Sequence, residues 1–222
     1  MSLWAIVPVK PLRRGKSRLA GVLSEDERAL LNVTMLGNTL RNLTEVPEIN
    51  QILVVSRDPA ALSLAREFGA RTVLEDGNPG LNMALHRATV VAQVYSAQDV
   101  LVIPADLPLV TPSDIHHLIH LADKPPVAVI APDRRMDGTN ALYLSPAGSI
   151  DYRFGPGSFQ HHLQQAEKRN LRVEICRSPS FGLDLDIPED LEELKQIEAL
   201  RVQPRLQPFN NRSDKLSTEA TK

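Results

Sequence analysis

The sequence predicts an α/β protein with one domain, in which helices cover both faces of a mostly parallel β-sheet. Apolar, strand-like runs alternate with helix-like segments through most of the 222 residues. The first run, residues 3–9, is almost wholly apolar, as a strand buried on both faces is. A chain of this length fits one domain.

Local signals place the remaining elements. Ser24 and Glu27 form a capping box before a helix that we expect to end at about Leu43. We expect further strands over residues 51–55, 71–74, 100–103, 127–131, 141–144 and 171–176. Proline in a first turn and a Ser or Thr cap favour further helices from Asp58-Pro59, Asn78-Pro79 (through about Tyr95), Thr111-Pro112, Ser158 (to about Lys168) and Pro188 (to about Leu200).

Composition narrows the class of protein. Hydrophobic residues make up 42% of the chain, enough for a core, yet no apolar run approaches the ~20 residues that a bilayer crossing needs. The first residues lack the positive start and cleavage site of a signal peptide. Cys176 is the single cysteine, which excludes an internal disulfide and a cysteine metal cluster. We therefore expect a cytoplasmic enzyme or binding protein without a membrane partner.

Charge is unevenly distributed along the chain. The formal net charge is −2, with +3 on residues 201–222 and −5 on residues 1–200. The acidic body lacks the concentrated basic face of a protein that binds nucleic acid. The tail is polar and aperiodic. We therefore expect one domain over residues 1–200 that binds small molecules, followed by a disordered basic tail over residues 201–222.

The loop after the first strand is the first candidate site, because ligands of open parallel sheets bind beyond the carboxyl ends of the strands. This loop, V-P-V-K-P-L-R-R-G-K-S-R-L, has a glycine at position 15 that we expect to supply flexibility. Backbone amides and cations after a strand suit a triphosphate, although the segment is not a Walker A loop and is equally compatible with a solvated basic loop. Its basic residues are Lys10, Arg13, Arg14, Lys16 and Arg18.

Three aspartates are candidate ligands for Mg²⁺. Asp106, in I-P-A-D-L-P-L, lies just past the fourth strand, where a carboxylate suits a hard cation. A turn or capping role is the alternative, but Thr111 has the features of the next cap. Asp184 and Asp186, in L-D-L-D-I-P-E-D-L, point the same way in an extended segment. Capping of the last helix also explains Asp186, whereas it does not explain Asp184.

Two polar segments lie between these aspartates. Residues 133–140, D-R-R-M-D-G-T-N, form a charged loop before a strand, and residues 154–159, F-G-P-G-S-F, precede a helix whose amino end suits an anion. Taken alone, Ser158 is better explained as an N-cap. His161 and His162 point about 100° apart on a helix and do not share an ion easily. We assign no function to three further histidines, His116, His117 and His120.

Together these segments resemble the phosphoenolpyruvate and 2-phospho-L-lactate guanylyltransferases of coenzyme F-420 biosynthesis. The resemblance covers about residues 3–195 and rests on six segments in one order: V-P-V-K-P-L-R-R-G-K-S-R-L, G-L-N-M-A-L, I-P-A-D-L-P-L, D-R-R-M-D-G-T-N-A-L, F-G-P-G-S-F and L-D-L-D-I-P-E-D-L. It implies a Rossmann-like nucleotide-diphospho-sugar transferase fold, shared with molybdenum-cofactor guanylyltransferases. Relatives often have threonine where Ile187 stands, a change that affects the cap more than the metal.

The resemblance also implies roles that spacing alone does not assign. Lys10, Lys16, Arg18 and Asp106 would be catalytic. GTP would contact Pro8, Lys10, Lys16, Gly80, Leu81, Asn82, Pro104 and Ala105. The phosphorylated acid would contact Thr139, Gly155 and Ser158. Mg²⁺ would be held by Asp106, Asp184 and Asp186.

The expected activity is transfer of GMP from GTP to phosphoenolpyruvate with release of pyrophosphate. The same chemistry on 2-phospho-L-lactate or another phosphorylated three-carbon acid stays open, because these acceptors differ little. A cytidylyl- or sugar-nucleotidyltransferase also stays open. A different class, a non-catalytic nucleotide-binding regulator on the same fold, is disfavoured by the three aspartates. A homodimer would be compatible with the sequence.

Overall fold

The computed structural model describes residues 2–75 and 80–202, which form seven strands and seven helices. The strands are β1 Leu3–Val9, β2 Ile49–Ser56, β3 Arg71–Leu74, β4 Asp99–Val102, β5 Val127–Pro132, β6 Thr139–Ser145 and β7 Arg172–Ile175. The helices are α1 Glu25–Thr44, α2 Pro59–Glu67, α3 Leu81–Val94, α4 Pro112–His120, α5 Ser158–Lys168, α6 Pro179–Gly182 and α7 Pro188–Val202. The short α6 and a 3-10 turn at Ser17–Leu19 were not predicted.

The strands form one sheet in the order β3-β2-β1-β4-β6-β5-β7. Strand β6 is antiparallel to both of its neighbours, and all other pairs are parallel. The predicted mostly parallel sheet is therefore confirmed, but the reversal of β6 was not predicted. Because β6 runs the other way, its first residue, Thr139, lies at the edge where the other six strands end.

Both faces of the sheet are covered, as predicted. Leu3, Ala5 and Val7 of β1 point into one core, where α1, α2, α4 and α6 pack. Trp4 and Ile6 point into the other core, where α3 and α5 pack. Such alternation on a strand buried on both sides explains why its sequence is apolar throughout.

Helix starts mostly follow the predicted signals. Capping boxes begin α1 at Ser24 and α4 at Thr111. Helix α5 begins at Ser158, but its N-cap is Gly157, with a left-handed φ of 70°. The expected capping role of Ser158 is therefore wrong, and its hydroxyl is available for the contacts described below.

Several strands begin or end one or two residues away from the predicted positions, and two helices also differ. Helix α3 begins after Gly80 and ends at Val94, and the predicted start at Asn78-Pro79 lies outside the described residues. Helix α7 continues through Val202 rather than ending at about Leu200, and residues 203–222 of the predicted tail also lie outside the described residues. Within the described ranges, no helix is long and apolar enough to cross a membrane.

Candidate active site

The structure brings the three aspartates together at the carboxyl edge of the sheet. Asp106 follows β4, and Asp184 and Asp186 lie in the segment between α6 and α7. The N–H of Leu185 donates to the carbonyl oxygen of Asp106 at 3.0 Å, which ties the two segments to each other. All three aspartates line one cleft. We call them the acidic group.

The ammonium group of Lys16 lies beside the acidic group. Its backbone is left-handed, with φ 55°, and its side chain is only 6% exposed. Its Nζ donates to the carbonyl oxygen of Leu185 and lies 3.7 Å from Asp186 Oδ1. Lys16 therefore supplies positive charge at the point where the carboxylates meet.

Gly15 has a packing role that was not predicted. A Cβ at this position would approach Asn32 Nδ2 to 2.7 Å. That amide donates to the carbonyl oxygen of Leu12 at 2.6 Å, so its position is fixed. Glycine lets the loop pass close enough to α1 to deliver Lys16.

Burial and mutual repulsion disfavour the ionised form of the carboxylates in the acidic group. Burial raises the pKa of Asp106. The nearby charge of Lys16 opposes this shift, whereas the charges of Asp186 and Asp184 raise the pKa further. Burial also raises the pKa of Asp184, which lies near Asp186 and Asp190. Asp106 Oδ1 is buried and has no hydrogen-bond partner in the described part of the chain. An unpaired carboxylate oxygen among other carboxylates fits a hard divalent cation.

Asp190 holds the segment that carries Asp184 and Asp186. Its Oδ2 accepts hydrogen bonds from the N–H groups of Asp186 at 2.9 Å and Ile187 at 2.8 Å. Its Oδ1 accepts from Arg134 Nη2 at 2.7 Å, a contact that connects this turn to the loop between β5 and β6. This role of Asp190 was not predicted from the sequence.

The capping alternative for Asp186 does not match this geometry. Helix α7 begins at Pro188, so Ile187 is the residue that precedes it. The carboxylate of Asp186 instead faces Lys16. The turn before α7 is stabilised by Asp190, which leaves Asp186 on the cleft.

Two clefts meet at the acidic group. The basic-loop cleft has a volume of about 480 Å³ and the hydroxyl cleft about 420 Å³. The basic-loop cleft includes Lys10, Arg14, Lys16, Gly80 and Ala105. The hydroxyl cleft includes Arg18, Thr139, Gly155, Ser158 and Asp184. Five residues line both clefts: Pro8, Leu81, Pro104, Asp106 and Asp186.

The basic loop therefore divides its cations between the two clefts. Lys10 and Arg14 line the basic-loop cleft, and Arg18 lines the hydroxyl cleft. The three cations for which the resemblance implied a catalytic role, Lys10, Lys16 and Arg18, therefore do not all line one cleft. The loop is anchored by Leu12, a buried side chain whose N–H donates to Asp58 Oδ2 at 2.8 Å. The loop is therefore held in place, and its cations other than Lys16 are exposed.

A buried network supports the hydroxyl cleft. Ser158 Oγ accepts from the N–H of Thr139 at 2.8 Å. His162 Nε2 accepts from the N–H of Arg153 at 3.0 Å, so in the neutral ring Nδ1 carries the proton and donates to Thr139 Oγ1, also at 3.0 Å. Burial, with a smaller effect of His161, lowers the pKa of His162 to about 4, which keeps the ring neutral near pH 7. Both hydroxyl oxygens are thus acceptors, and their own protons can be donated into the cleft.

Asn82, one of the residues for which the resemblance implied a contact with GTP, has its side chain bonded to the backbone of Phe154. Its Oδ1 accepts from the N–H of Phe154 at 2.7 Å, and its Nδ2 donates to the carbonyl oxygen of Phe154 at 3.2 Å. It is not among the residues that line either cleft. Asn82 fixes the loop before α5 against α3 and so shapes the hydroxyl cleft indirectly.

Comparisons with known proteins agree on one family. Residues 3–197 match the model of the family described as guanylyl transferase CofC like. A phosphoenolpyruvate guanylyltransferase of Rubrobacter xylanophilus is 44% identical over 205 residues, which cover 92% of this chain and 99% of that protein. A 2-phospho-L-lactate guanylyltransferase of Methanocaldococcus infernus is 35% identical over 189 residues, which cover 85% and 82%.

A solved structure supports the fold independently. A nucleotidyl transferase from Methanothermobacter thermautotroptrophicus superposes with a TM-score of 0.67 at 16% identity, over 91% of this chain and 99% of that one. At this identity the likeness shows the fold alone. It confirms the nucleotidyltransferase-like fold that the resemblance implied.

Proposed function

The chain belongs to the CofC-like guanylyl transferase family and is a nucleotidyltransferase, and from this we propose that it transfers GMP from GTP to phosphoenolpyruvate. Pyrophosphate is the other product, and the reaction is a step of coenzyme F-420 biosynthesis. The basic-loop cleft binds GTP and the hydroxyl cleft binds the phosphorylated acid.

One observation carries this proposal: two clefts of different chemistry share a wall that contains Asp106 and Asp186. A transfer between two substrates requires both of them at the same reacting centre. The exposed cations Lys10 and Arg14 suit a triphosphate. The donating hydroxyls of Thr139 and Ser158 suit the carboxylate or phosphate of a small acid.

The chemistry requires little proton transfer. A phosphate oxygen of the acceptor forms a bond to the α-phosphorus of GTP, and the bond from that phosphorus to the pyrophosphate oxygen breaks. Because the acceptor phosphate is already ionised at neutral pH, the main barrier is repulsion between two anions. Lys16 beside Asp186 of the shared wall, Lys10 on one side and Arg18 on the other offset that repulsion. The fixed clefts hold the reacting groups in line.

Mg²⁺ is the cofactor that fits the acidic group. Asp106, Asp184 and Asp186 would hold it, since carboxylate oxygens are its preferred ligands and Asp106 Oδ1 is otherwise unpaired within the described residues. When bound, the ion would stabilise negative charge on the phosphate oxygens. Neutralising the carboxylates would also relieve the repulsion that raises the pKa of Asp106.

The choice of acceptor rests on the relatives. The protein that is 44% identical is named for phosphoenolpyruvate, and the one named for 2-phospho-L-lactate is 35% identical. Both acids carry one phosphate and one carboxylate on three carbons, so the hydroxyl cleft suits either. 2-Phospho-L-lactate is therefore the second candidate.

The decisive experiment measures pyrophosphate release with Mg²⁺ from each of the four nucleoside triphosphates and each of three acids: phosphoenolpyruvate, 2-phospho-L-lactate and 3-phosphoglycerate. We expect the highest kcat/KM for GTP with phosphoenolpyruvate. A higher value for 2-phospho-L-lactate would reassign the acceptor and keep the reaction. The absence of pyrophosphate release from every pairing, by folded protein, would overturn the proposal.

A further inference from the structure

Glu48, His116 and His120 form a cluster at the sheet edge opposite to the two clefts. Glu48 immediately precedes β2, and the histidines lie towards the end of α4. Residues four apart share a helix face, so both imidazoles lie on the side of Glu48, while Ile115 and Leu118 are buried in α4. One ligand atom from each member of the cluster lies within 4.8 Å of the others.

The carboxylate of Glu48 determines which nitrogen of His116 can bind an ion. Glu48 Oε1 lies 2.5 Å from His116 Nδ1, so the Nδ1–H donates to it and Nε2 of the neutral ring keeps a lone pair. That Nε2 lies 2.9 Å from His120 Nε2. Two nitrogens bound to one tetrahedral Zn²⁺ at about 2.0–2.1 Å are roughly 3.3 Å apart. The observed pair needs only a small adjustment to share an ion.

Glu48 also has acceptor capacity that the protein does not use. Its Oε1 lies 3.8 Å from His120 Nε2, and its Oε2 is buried without a hydrogen-bond partner among the described residues. A carboxylate on the far nitrogen of a ligating histidine recurs around zinc, where it fixes the ring and raises the basicity of the ligand. Glu48 stands in this relation to His116.

We propose that His116 and His120 bind a divalent transition-metal ion through their Nε2 atoms and that Glu48 orients His116. Zn²⁺, Ni²⁺ and Cu²⁺ are the ions that imidazole selects, whereas Mg²⁺ prefers oxygen ligands. The histidine side chains are 48% and 65% exposed, so an ion enters from solvent and completes its shell with water. Both ligands lie on α4, and Glu48 connects them to the α1–β2 connection through His116, so the bound ion stabilises the fold far from the clefts.

Calorimetric titration of the full, tag-free chain with Zn²⁺, in excess Mg²⁺ that occupies the acidic group, tests this proposal. We expect saturable binding with one ion per chain and a Tm that rises with zinc concentration. His120→Ala abolishes the binding. His117→Ala, an exposed neighbour that points about 100° away on α4, retains it and is the matched control. Glu48→Gln weakens the binding about 10-fold.

The alternative is a chain of hydrogen bonds from Glu48 through His116 to His120 without an ion. It predicts no saturable binding, and that result would overturn the proposal. Binding that survives in His120→Ala would overturn it too, because the ion would then lie elsewhere. With Cu²⁺, electron paramagnetic resonance should show coupling to two nitrogens, and coupling to none contradicts the assignment. His120→Ala should keep wild-type turnover.

Discussion

The two clefts share Asp106 and Asp186 of the acidic group but are otherwise lined by different kinds of residue. The basic-loop cleft presents exposed cations on a loop, among them Lys10 and Arg14. The hydroxyl cleft is supported by side chains that are almost wholly buried, namely Thr139, Ser158 and His162. The contrast lies in how the polar groups are held: the cations of one cleft stand on a loop, whereas the hydroxyls of the other are fixed by buried neighbours, although Arg18, Arg134 and Arg135 also line it. Each prediction below tests the shared wall or one side of it.

The largest effect is expected at the shared wall, from Asp106→Asn. Loss of one carboxylate from the acidic group should lower kcat/KM for both substrates by at least about 100-fold, the usual size for one preorganised electrostatic group. Steady-state kinetics with each substrate varied in turn gives the measurement. Asp151→Asn, the same change at an exposed position, is the control. Near wild-type turnover of Asp106→Asn at saturating Mg²⁺ would remove Asp106 from the site.

The same substitution should stabilise the protein. Because the pKa of Asp106 is raised on folding, its ionised form costs folding free energy, and that cost grows as the pH rises from the unfolded pKa through the folded one. Asp106→Asn removes the cost, so Tm at pH 7 without Mg²⁺ should rise, by about 2–4 °C for each kcal/mol relieved. A lower Tm would show that the carboxylate is structurally required.

Lys16→Met should have the second largest effect on kcat/KM, and its effect on Tm should be opposite to that of Asp106→Asn. The buried ammonium offsets the charge of the acidic group, so its loss should lower kcat/KM by about 100-fold and also lower Tm at pH 7. Mg²⁺ should restore part of the Tm, because it neutralises the same carboxylates. Thermal melts of Lys16→Met and Asp106→Asn, with and without Mg²⁺, make the comparison. Equal Tm changes in both variants would contradict it.

The sequence predicted the basic-loop cleft better than the hydroxyl cleft, for a physical reason. Cations after a strand and aspartates past strand ends are local patterns, so Lys10, Lys16 and Asp106 could be named from them. The contacts of His162 with Thr139 and of Asp190 with Arg134 span 23 and 56 residues along the chain. No local pattern encodes such pairs. The reversal of β6, which places Thr139 on the cleft, was missed for the same reason.

On the hydroxyl side, His162→Gln should act on one substrate. Loss of the bond that orients Thr139 Oγ1 should raise KM for the phosphorylated acid by roughly 10-fold, about the worth of one hydrogen bond, and leave KM for GTP nearly unchanged. His161→Gln, an exposed neighbour on α5, is the control. A parallel rise in both KM values would show that His162 serves the fold and not this cleft.

His162 should also make stability depend on pH. Its folded pKa of about 4 lies below its ordinary value of 6.5, so the folded state binds fewer protons in this range. The contribution is fully present above pH 6.5 and is lost as the pH falls towards 4. The free energy of unfolding of the wild type should therefore fall by a few kcal/mol over this range. The curve of His162→Gln should be flatter, and parallel curves from urea titrations would contradict the assignment.

The smallest effect is expected from Lys10→Met. This substitution tests whether the exposed Lys10 contributes less to activity than the buried Lys16 because it is solvated. A solvated cation contributes at most about 1 kcal/mol to binding an anion, so KM for GTP should rise only about 3–5-fold. Added salt should shrink the difference from wild type, because exposed charges are screened. Lys124→Met, an exposed lysine outside both clefts, should change nothing. If Lys10→Met costs as much as Lys16→Met and resists salt, the triphosphate must bury Lys10 on binding, and the basic-loop cleft would close around GTP.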